Sequence, residues 1–440
     1  MTEATQQYTK WSAEIPRAER LPEFLERAFQ IASTPPYGPV HLGIPMDFLE
    51  EEIEFTPGPV TEYLHEALDP DAVERLAQIL RTAASPVIVV GTEVARYGAI
   101  AALERLSDLV DASVLGEIKG ADLAFPNTNP RYVGKLTASS PALEGADVVV
   151  LLGAELTEGL AMPLPDFGDS LVVQVTVDPL ALRRQYAGQV GILSHPGRLL
   201  DAVADRLAEG GAVPVSSGGR VRGLRERWEA GREALRSRLL GEADGAVSAA
   251  HIADLIHRLG GSETIVVNQC GSAEGFIDTL VDYGAPWTYF GLSGKASAQG
   301  WGAPAAVGIQ MARPDRRVIA VLGDGGFMFN STAIHTAAAY DVPVVYLVLD
   351  NGGWRDVATV TGAMGSSLGE PGAEDAMRWT FRPPIDHASY ARSLGLKSWR
   401  ASNPEELESA FAAAFAEDGP TLIQVASAMG DVRVFGQAFA

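Results

Sequence analysis

The sequence predicts an α/β protein with two doubly wound parallel-sheet domains behind a short N-terminal segment. Three observations lead there. Short apolar runs with little polar alternation recur along the chain, as strands buried on both faces require. Amphipathic helical segments separate them, the pattern of βαβ units. At 440 residues the chain is also too long for one ordinary domain.

The elements follow in order. In LPEFLERAFQIA, Leu21, Phe24, Leu25, Ala28, Phe29 and Ala32 share one helical face. GPVHLGIP then gives an apolar run, Val40 to Ile44, bounded by Pro39 and Pro45, which reads as a buried strand. One helix and one strand cannot make a core, so residues 1–60 are expected to lean on something else. From residue 65 to 210 the pattern alternates. DAVERLAQILRTAA, YGAIAALERLSDLV and PGRLLDAVADRLAE read as helices; PVIVVG, ADVVVLLG and SLVVQVTVD read as strands.

Residues 211–245 open with the turn-rich GGAVPVSSGG and continue as RVRGLRERWEAGREALRSRLL. Mixed Arg and Glu favour a solvated linker helix over a basic binding helix. A second alternating domain spans residues 246–440. Its helices are SAAHIADLIHRL, STAIHTAAAY and EELESAFAAAFAE; its strands are ETIVVNQ, RRVIAVLG, VPVVYLVLD and TLIQVAS.

Composition narrows the function. A formal charge of −22 repels nucleic acid backbones and anionic lipid, so neither is expected as a partner. No apolar run is long enough for a transmembrane helix, and the N-terminus has no signal-peptide h-region. Cys270 is the single cysteine, which fits a cytoplasmic protein and leaves Cys270 a packing role. The seven histidines show no metal-ligand spacing, and His335 is expected to pack within its helix.

The chemistry gathers at two strand ends. VIAVLGDGGFMFN breaks an apolar strand into a turn bearing Asp324. The next strand ends at Asp350 and is followed by NGGW. In a βαβ unit these ends can be neighbours, and ligands bind outside the carboxyl ends of such strands. Asp324 and Asn351 offer hard oxygens of the kind Mg²⁺ shares with phosphates. Gly325 and Gly326 let backbone N–H groups approach a phosphate, and a helix beginning near Asn330 would add its positive end. Glycines after Asn351 would let a carbonyl turn inward as a third ligand. The P-loop, dinucleotide and zinc-protease motifs are absent from the sequence.

GDGG followed by DNGG resembles the diphosphate and Mg²⁺ motif of thiamine diphosphate enzymes. The wider chain resembles their acetolactate synthase and benzoylformate decarboxylase group. The resemblance extends over GWGAPAAVGIQMARPDRRVIAVLGDGGFMF, over GPVHLGIPMD, and over GADVVVLLGAEL with VTVDP. It implies Asp324, Asn351 and the Gly353 carbonyl as metal ligands. It implies Gly323, Gly325 and Gly326 as cofactor-binding, and Ser297 as presenting a carbonyl to the cofactor's amino group. The cofactors would be thiamine diphosphate and Mg²⁺. The chemistry would be loss of CO₂ from a 2-oxo acid, followed by protonation or by attack on a second carbonyl. No FAD is expected, since no dinucleotide fingerprint occurs.

Three departures shape the expectation. Residues 1–60 match only the end of the family's pyrimidine-binding domain. The family's catalytic glutamate has no counterpart in this chain, so the catalytic acid here is unknown. Gln299 stands where the family places an apolar wedge under the cofactor and is expected to touch it. Asp350 replaces the first of two adjacent asparagines. Residues 65–210 would be the central domain and 246–440 the diphosphate-binding domain. The resulting expectation is the large subunit of a split decarboxylase or carboligase. A small partner chain would supply the glutamate, in a hetero-oligomer with at least two copies of this chain. A non-catalytic protein derived from the family, or a truncated chain, are the alternatives. Trp354 and Met364 are candidate substrate-facing residues, and GSSLGEPGAEDAMRW a candidate closing loop.

Overall fold

A computed structural model describes residues 2–55, 67–117, 122–156, 165–210, 219–291, 298–363 and 377–427. Three separate sheets organise them, and every strand pair within each sheet is parallel.

The first sheet has two strands, β1 (Trp11–Glu14) and β2 (Val40–Gly43), linked through the helix Leu21–Ser33. The expected strand forms, but it is half-buried rather than buried. Its neighbour β1 went unforeseen because WSAE has no apolar run. Two strands cover only one edge of each other, and such a sheet is marginal by itself. Around it stand exposed apolar side chains, among them Tyr8, Phe29, Met46 and Leu49.

The second sheet contains β3 (Pro86–Val90), β4 (Ser113–Gly116), β5 (Tyr132–Lys135), β6 (Val148–Leu152), β7 (Leu171–Thr176) and β8 (Val190–Leu193). Their order is β5-β4-β3-β6-β7-β8, so the chain reverses its winding between β3 and β6. Alternation splits the strands between two cores. Ile88 and Val90 join Leu103, Leu106 and Leu199 on one face, while Val87 and Val89 join Leu115 and Leu151 on the other. Strands β4, β5 and β8 were not legible: each has four residues, too few to show a period.

The third sheet contains β9 (Ile265–Gln269), β10 (Tyr289–Gly291), β11 (Val318–Gly323), β12 (Val345–Asp350), β13 (Lys397–Ala401) and β14 (Thr421–Ala426). Their order is β10-β9-β11-β12-β14-β13. The winding reverses between β9 and β11, and β11 pairs directly with β12. Along β11, Ile319 and Val321 enter one core and Val318, Ala320 and Leu322 the other.

The helix Gly219–Glu242 joins the two larger sheets and is largely exposed, as expected of a solvated linker, but it also makes specific contacts. Its arginines reach backbone carbonyls on both sides. Arg220 donates to Ala142 O and Glu144 O. Arg225 donates to the carbonyls of Asn127, Asn129 and Tyr132. Arg232 donates to Thr279 O and Leu280 O and pairs with Asp282, and Arg236 pairs with Asp254. Trp228 lies edge-on to Tyr132 under the guanidinium groups of Arg225 and Arg232. The helix is a strut whose charged face is used against backbone, a role that composition does not reveal.

Candidate active site

The site lies at the carboxyl ends of β9, β11 and β12, where the third sheet reverses its winding. That is the place an open α/β sheet reserves for ligands, because diverging loops leave a crevice there. β11 delivers Gly323, and a short helix begins at once with Asp324–Met328. This short helix was not foreseen; the helix expected to begin near Asn330 follows as Ala333–Ala339. The Gly325–Gly326 pair turns tightly enough to begin the short helix directly at the strand end.

Asp324 is only 2% exposed. Its Oδ1 accepts from Gly325 N at 2.9 Å and its Oδ2 from Gly353 N at 2.9 Å. Burial pushes its carboxyl up to about 7, and the nearby Asp350 adds to that while the N–H bonds oppose it. A carboxyl raised by burial gains from a bound cation, which replaces the lost solvation.

The Asn351 amide and the Gly353 carbonyl lie beside it. The Asn351 amide oxygen faces Gly353 O at 3.0 Å and Asp324 Oδ1 at 3.3 Å, with no donor between them. Turning the amide would make it donate to both. With its oxygen inward, the set is one carboxylate, one amide oxygen and one carbonyl. Those are hard ligands that fit Mg²⁺ and leave the remaining octahedral positions to phosphate oxygens and water. Among the described residues no group of three His, Cys, Asp or Glu could hold a metal, so this mixed oxygen set carries the metal question.

Glycine is required where the loops cross. Gly353 has φ 156°, and a Cβ there would lie 1.9 Å from Trp379 O. A Cβ on Gly325 would lie 2.6 Å from the Trp354 ring. Gly323 is under no such demand, since its added Cβ would meet Cys270 Sγ at 3.7 Å.

The expected residues divide as follows. Asp324, Asn351, Gly353, Gly325, Gly326, Gln299 and Trp354 come together at these strand ends. The N–H of Gly325 is turned to Asp324 rather than outward. Gly326 lies in the first helical turn, where N–H groups lack intrahelical acceptors. Trp354 is half-buried between Phe329 and Phe381, with ring centroids 5.4 Å from each. It forms a wall of the crevice over Gly325. Ser297, Met364 and most of the candidate loop lie outside the described residues. Asp350 turns away from the oxygen cluster, accepting from Gly352 N and from Gln424 Nε2. Cys270 is buried with its thiol pushed up to about 12 by burial, a packing residue as expected. His335 is exposed on the helix Ala333–Ala339, contrary to the packing role expected of it. An alanine-rich helix against the sheet needs only its small face buried.

Sequence reasoning missed Gln269. It is 2% exposed at the end of β9, and its Nε2 donates to Gln299 Oε1 at 3.1 Å. The only signal was a polar pair closing the apolar run IVVNQ.

Comparison with known proteins agrees with this geometry. Residues 73–203 match the family profile "Thiamine pyrophosphate enzyme, central domain", and residues 269–425 match "Thiamine pyrophosphate enzyme, C-terminal TPP binding domain". The chain is 28% identical to benzoylformate decarboxylase of Pseudomonas aeruginosa, over 94% of this chain and 75% of that one. It is 25% identical to a probable acetolactate synthase large subunit of Methanocaldococcus jannaschii, over 95% and 71% respectively. A thiamine diphosphate-dependent 4-hydroxybenzoylformate decarboxylase of Rhodococcus jostii superimposes with a TM-score of 0.78 at 26% identity, covering 97% of this chain and 77% of that one. The two profiles together account for well over half of the chain, in the order of its two large sheets. The chain belongs to the thiamine diphosphate-dependent enzymes of the acetolactate synthase and benzoylformate decarboxylase family.

Proposed function

We propose that this chain is the large component of a 2-oxo acid decarboxylase or carboligase that works with thiamine diphosphate and Mg²⁺. The observation that carries the reading is the meeting of Asp324, the Asn351 amide and the Gly353 backbone at the switch point of the third sheet. When bound, thiamine diphosphate supplies the electron sink that lets a 2-oxo acid lose CO₂. The chain's own residues do the rest of the holding. Asp324, Asn351 and the Gly353 carbonyl bind the metal. Gly326, with Gly323 and Gly325 beside it, brings backbone to the diphosphate without a side chain of its own. Trp354 closes one side of the crevice against water. Gln299 and Ser297 address the cofactor's organic part.

Four segments divide the work in this reading. Residues 1–60 complete a pyrimidine-binding domain, 65–210 form the central domain, 211–245 the strut, and 246–440 the diphosphate-binding domain. The catalytic glutamate comes from a partner chain that carries the rest of the pyrimidine-binding domain. The exposed apolar side chains around β1 and β2 support a further sheet docking there. The assembly is a hetero-oligomer of at least two copies, placed in the cytoplasm. Among the described residues no helix is long and apolar enough to cross a membrane.

FAD has no place in this reading. In the second sheet the backbones at the ends of β3 and β6 approach each other closely. A Cβ on Gly91 would lie 2.2 Å from Gly153 O, and the Glu117 carboxylate accepts from Glu155 N and Leu156 N.

The test is to purify the chain with the proteins that accompany it. CO₂ release from 2-oxo acids is then followed with thiamine diphosphate and Mg²⁺. Release that needs a second, small chain supports the split enzyme, and release by this chain alone removes the partner. No release under any pairing, with cofactor binding intact, turns the reading to a non-catalytic relative.

A further inference from the structure

Gln269 and Gln299 form a hydrogen-bonded chain whose direction is fixed. It starts at the backbone of Gly302, which opens the helix Gly302–Ala312. Gly302 N donates to Gln269 Oε1 at 2.6 Å. A backbone N–H can only donate, so the Gln269 atom facing it is its oxygen. The other half of the Gln269 amide is therefore a donor, and it meets Gln299 at 3.1 Å. The Gln299 atom receiving that bond must be its oxygen. The Gln299 Nε2 is left on the far side with two protons, and no hydrogen bond from it forms among the described residues.

The pair sits at the cofactor crevice. A Cβ on Gly326 would lie 2.8 Å from Gln269 Nε2 and 3.1 Å from Gln299 Oε1. Gln269 is buried, so its amide needs both of its bonds, while Gln299 is exposed toward open space. An amide so held has one orientation at little entropic cost.

We propose that Gln299 presents an N–H₂ donor to a hydrogen-bond acceptor of the bound cofactor or 2-oxo acid, and that Gln269 is the positioning residue that fixes this polarity. The inference rests on the cofactor reading above and adds to it a specificity determinant. An apolar side chain at residue 299 would support a ligand by shape alone. An oriented donor distinguishes ligands that carry an acceptor there from those that do not.

Two variants test it. Gln299→Leu keeps the volume and removes the donor. Gln269→Glu keeps the shape but offers only acceptors once ionised, so the Gln299 amide must turn and aim its oxygen at the crevice. Each is made in the chain together with any co-purifying partner. Thiamine diphosphate affinity in the presence of Mg²⁺ is read by calorimetry. KM and kcat for pyruvate, and affinity for acetylphosphonate as an unreactive mimic, are read separately. The proposal expects both variants to weaken the same step by roughly tenfold. Weakened thiamine diphosphate binding puts the acceptor on the cofactor. Unchanged cofactor binding with raised KM and weaker acetylphosphonate binding puts it on the substrate. Wild-type affinities in Gln299→Leu overturn the proposal, whatever Gln269→Glu does to folding. A wild-type protein that binds no thiamine diphosphate overturns the cofactor reading itself, a result distinct from binding that is indifferent to both variants.

Discussion

At the scale of single residues, the site depends on Asp324, the Asn351 amide and the Gly353 carbonyl lying close together. Asp324 supplies the one formal charge in the cluster, so its loss removes the reason for a cation to enter. Asp324→Ala is expected to weaken Mg²⁺-dependent thiamine diphosphate binding by more than roughly 100-fold. Calorimetry with and without EDTA checks this, and retained metal-dependent binding refutes the metal assignment. Gly353→Ala acts on the fold first. Its Cβ would meet Trp379 O at 1.9 Å, and neither backbone can move alone because Trp354 N also donates to that oxygen. A loss of about 3 kcal/mol in urea unfolding is expected. His387 offers a pH test. It is fully buried beside Phe327, with neither ring nitrogen hydrogen-bonded. Burial lowers its pKa below the usual range. The native state then stays neutral where the unfolded chain binds a proton. Its contribution is present above the unfolded value of about 6.5 and is lost as pH falls toward the lowered native value. His387→Leu should flatten that acid-side loss, measured as the unfolding midpoint between pH 7 and 5; an unchanged pH slope would refute it. Asp324 and Asn351 were legible in the sequence because apolar strands announce their own ends. Gln269 was not, because its meaning comes from a backbone N–H on another element.

At the scale of elements, the linker helix shows where composition misleads. Its Arg–Glu sequence has the look of a solvated surface, yet Arg225 binds three backbone carbonyls beside the second sheet and Arg232 two at the end of the helix Glu274–Leu280. Trp228 packs so closely on Gly134 that a Cβ there would lie 2.9 Å from the indole. Removing the ring should separate the two large units energetically. Trp228→Ala is expected to cost about 2–3 kcal/mol, less than a fully buried tryptophan because the ring is half-exposed. The unfolding curve should split into two transitions, and proteolysis should concentrate near the helix. A single transition with an unchanged midpoint would show that the strut carries no coupling. Arg225→Lys should fail to preserve the coupling, since one ammonium cannot reproduce a planar fork stacked on an indole. Long apolar strands such as β3, β6, β11 and β12 were readable because they are buried on both faces. Short edge strands such as β8 and β13 were not, because exposed positions erase the pattern.

At the scale of the whole molecule, the three sheets are unequally finished. The two large sheets bury their central strands between helices, but beside β1 and β2 Tyr8, Phe29, Met46 and Leu49 are each more than two-thirds exposed. Single exposed apolar residues need no explanation, whereas a cluster around one small sheet marks a docking face. The same segment resembles the end of a pyrimidine-binding domain, so the partner chain proposed above would dock on this face. Replacing Phe29 by Ser and Met46 by Gln removes apolar area without touching a buried contact. Thermal stability of the isolated chain should change by no more than about 0.5 kcal/mol, as for ordinary surface positions. Recovery of a small partner chain on purification should fall sharply, and CO₂ release from the mixture should fall with it. Reconstitution with excess partner should restore release, because the substitutions weaken association and leave the metal site intact. Undiminished recovery of the partner, or full activity with no partner bound, would place the completing surface elsewhere on the molecule.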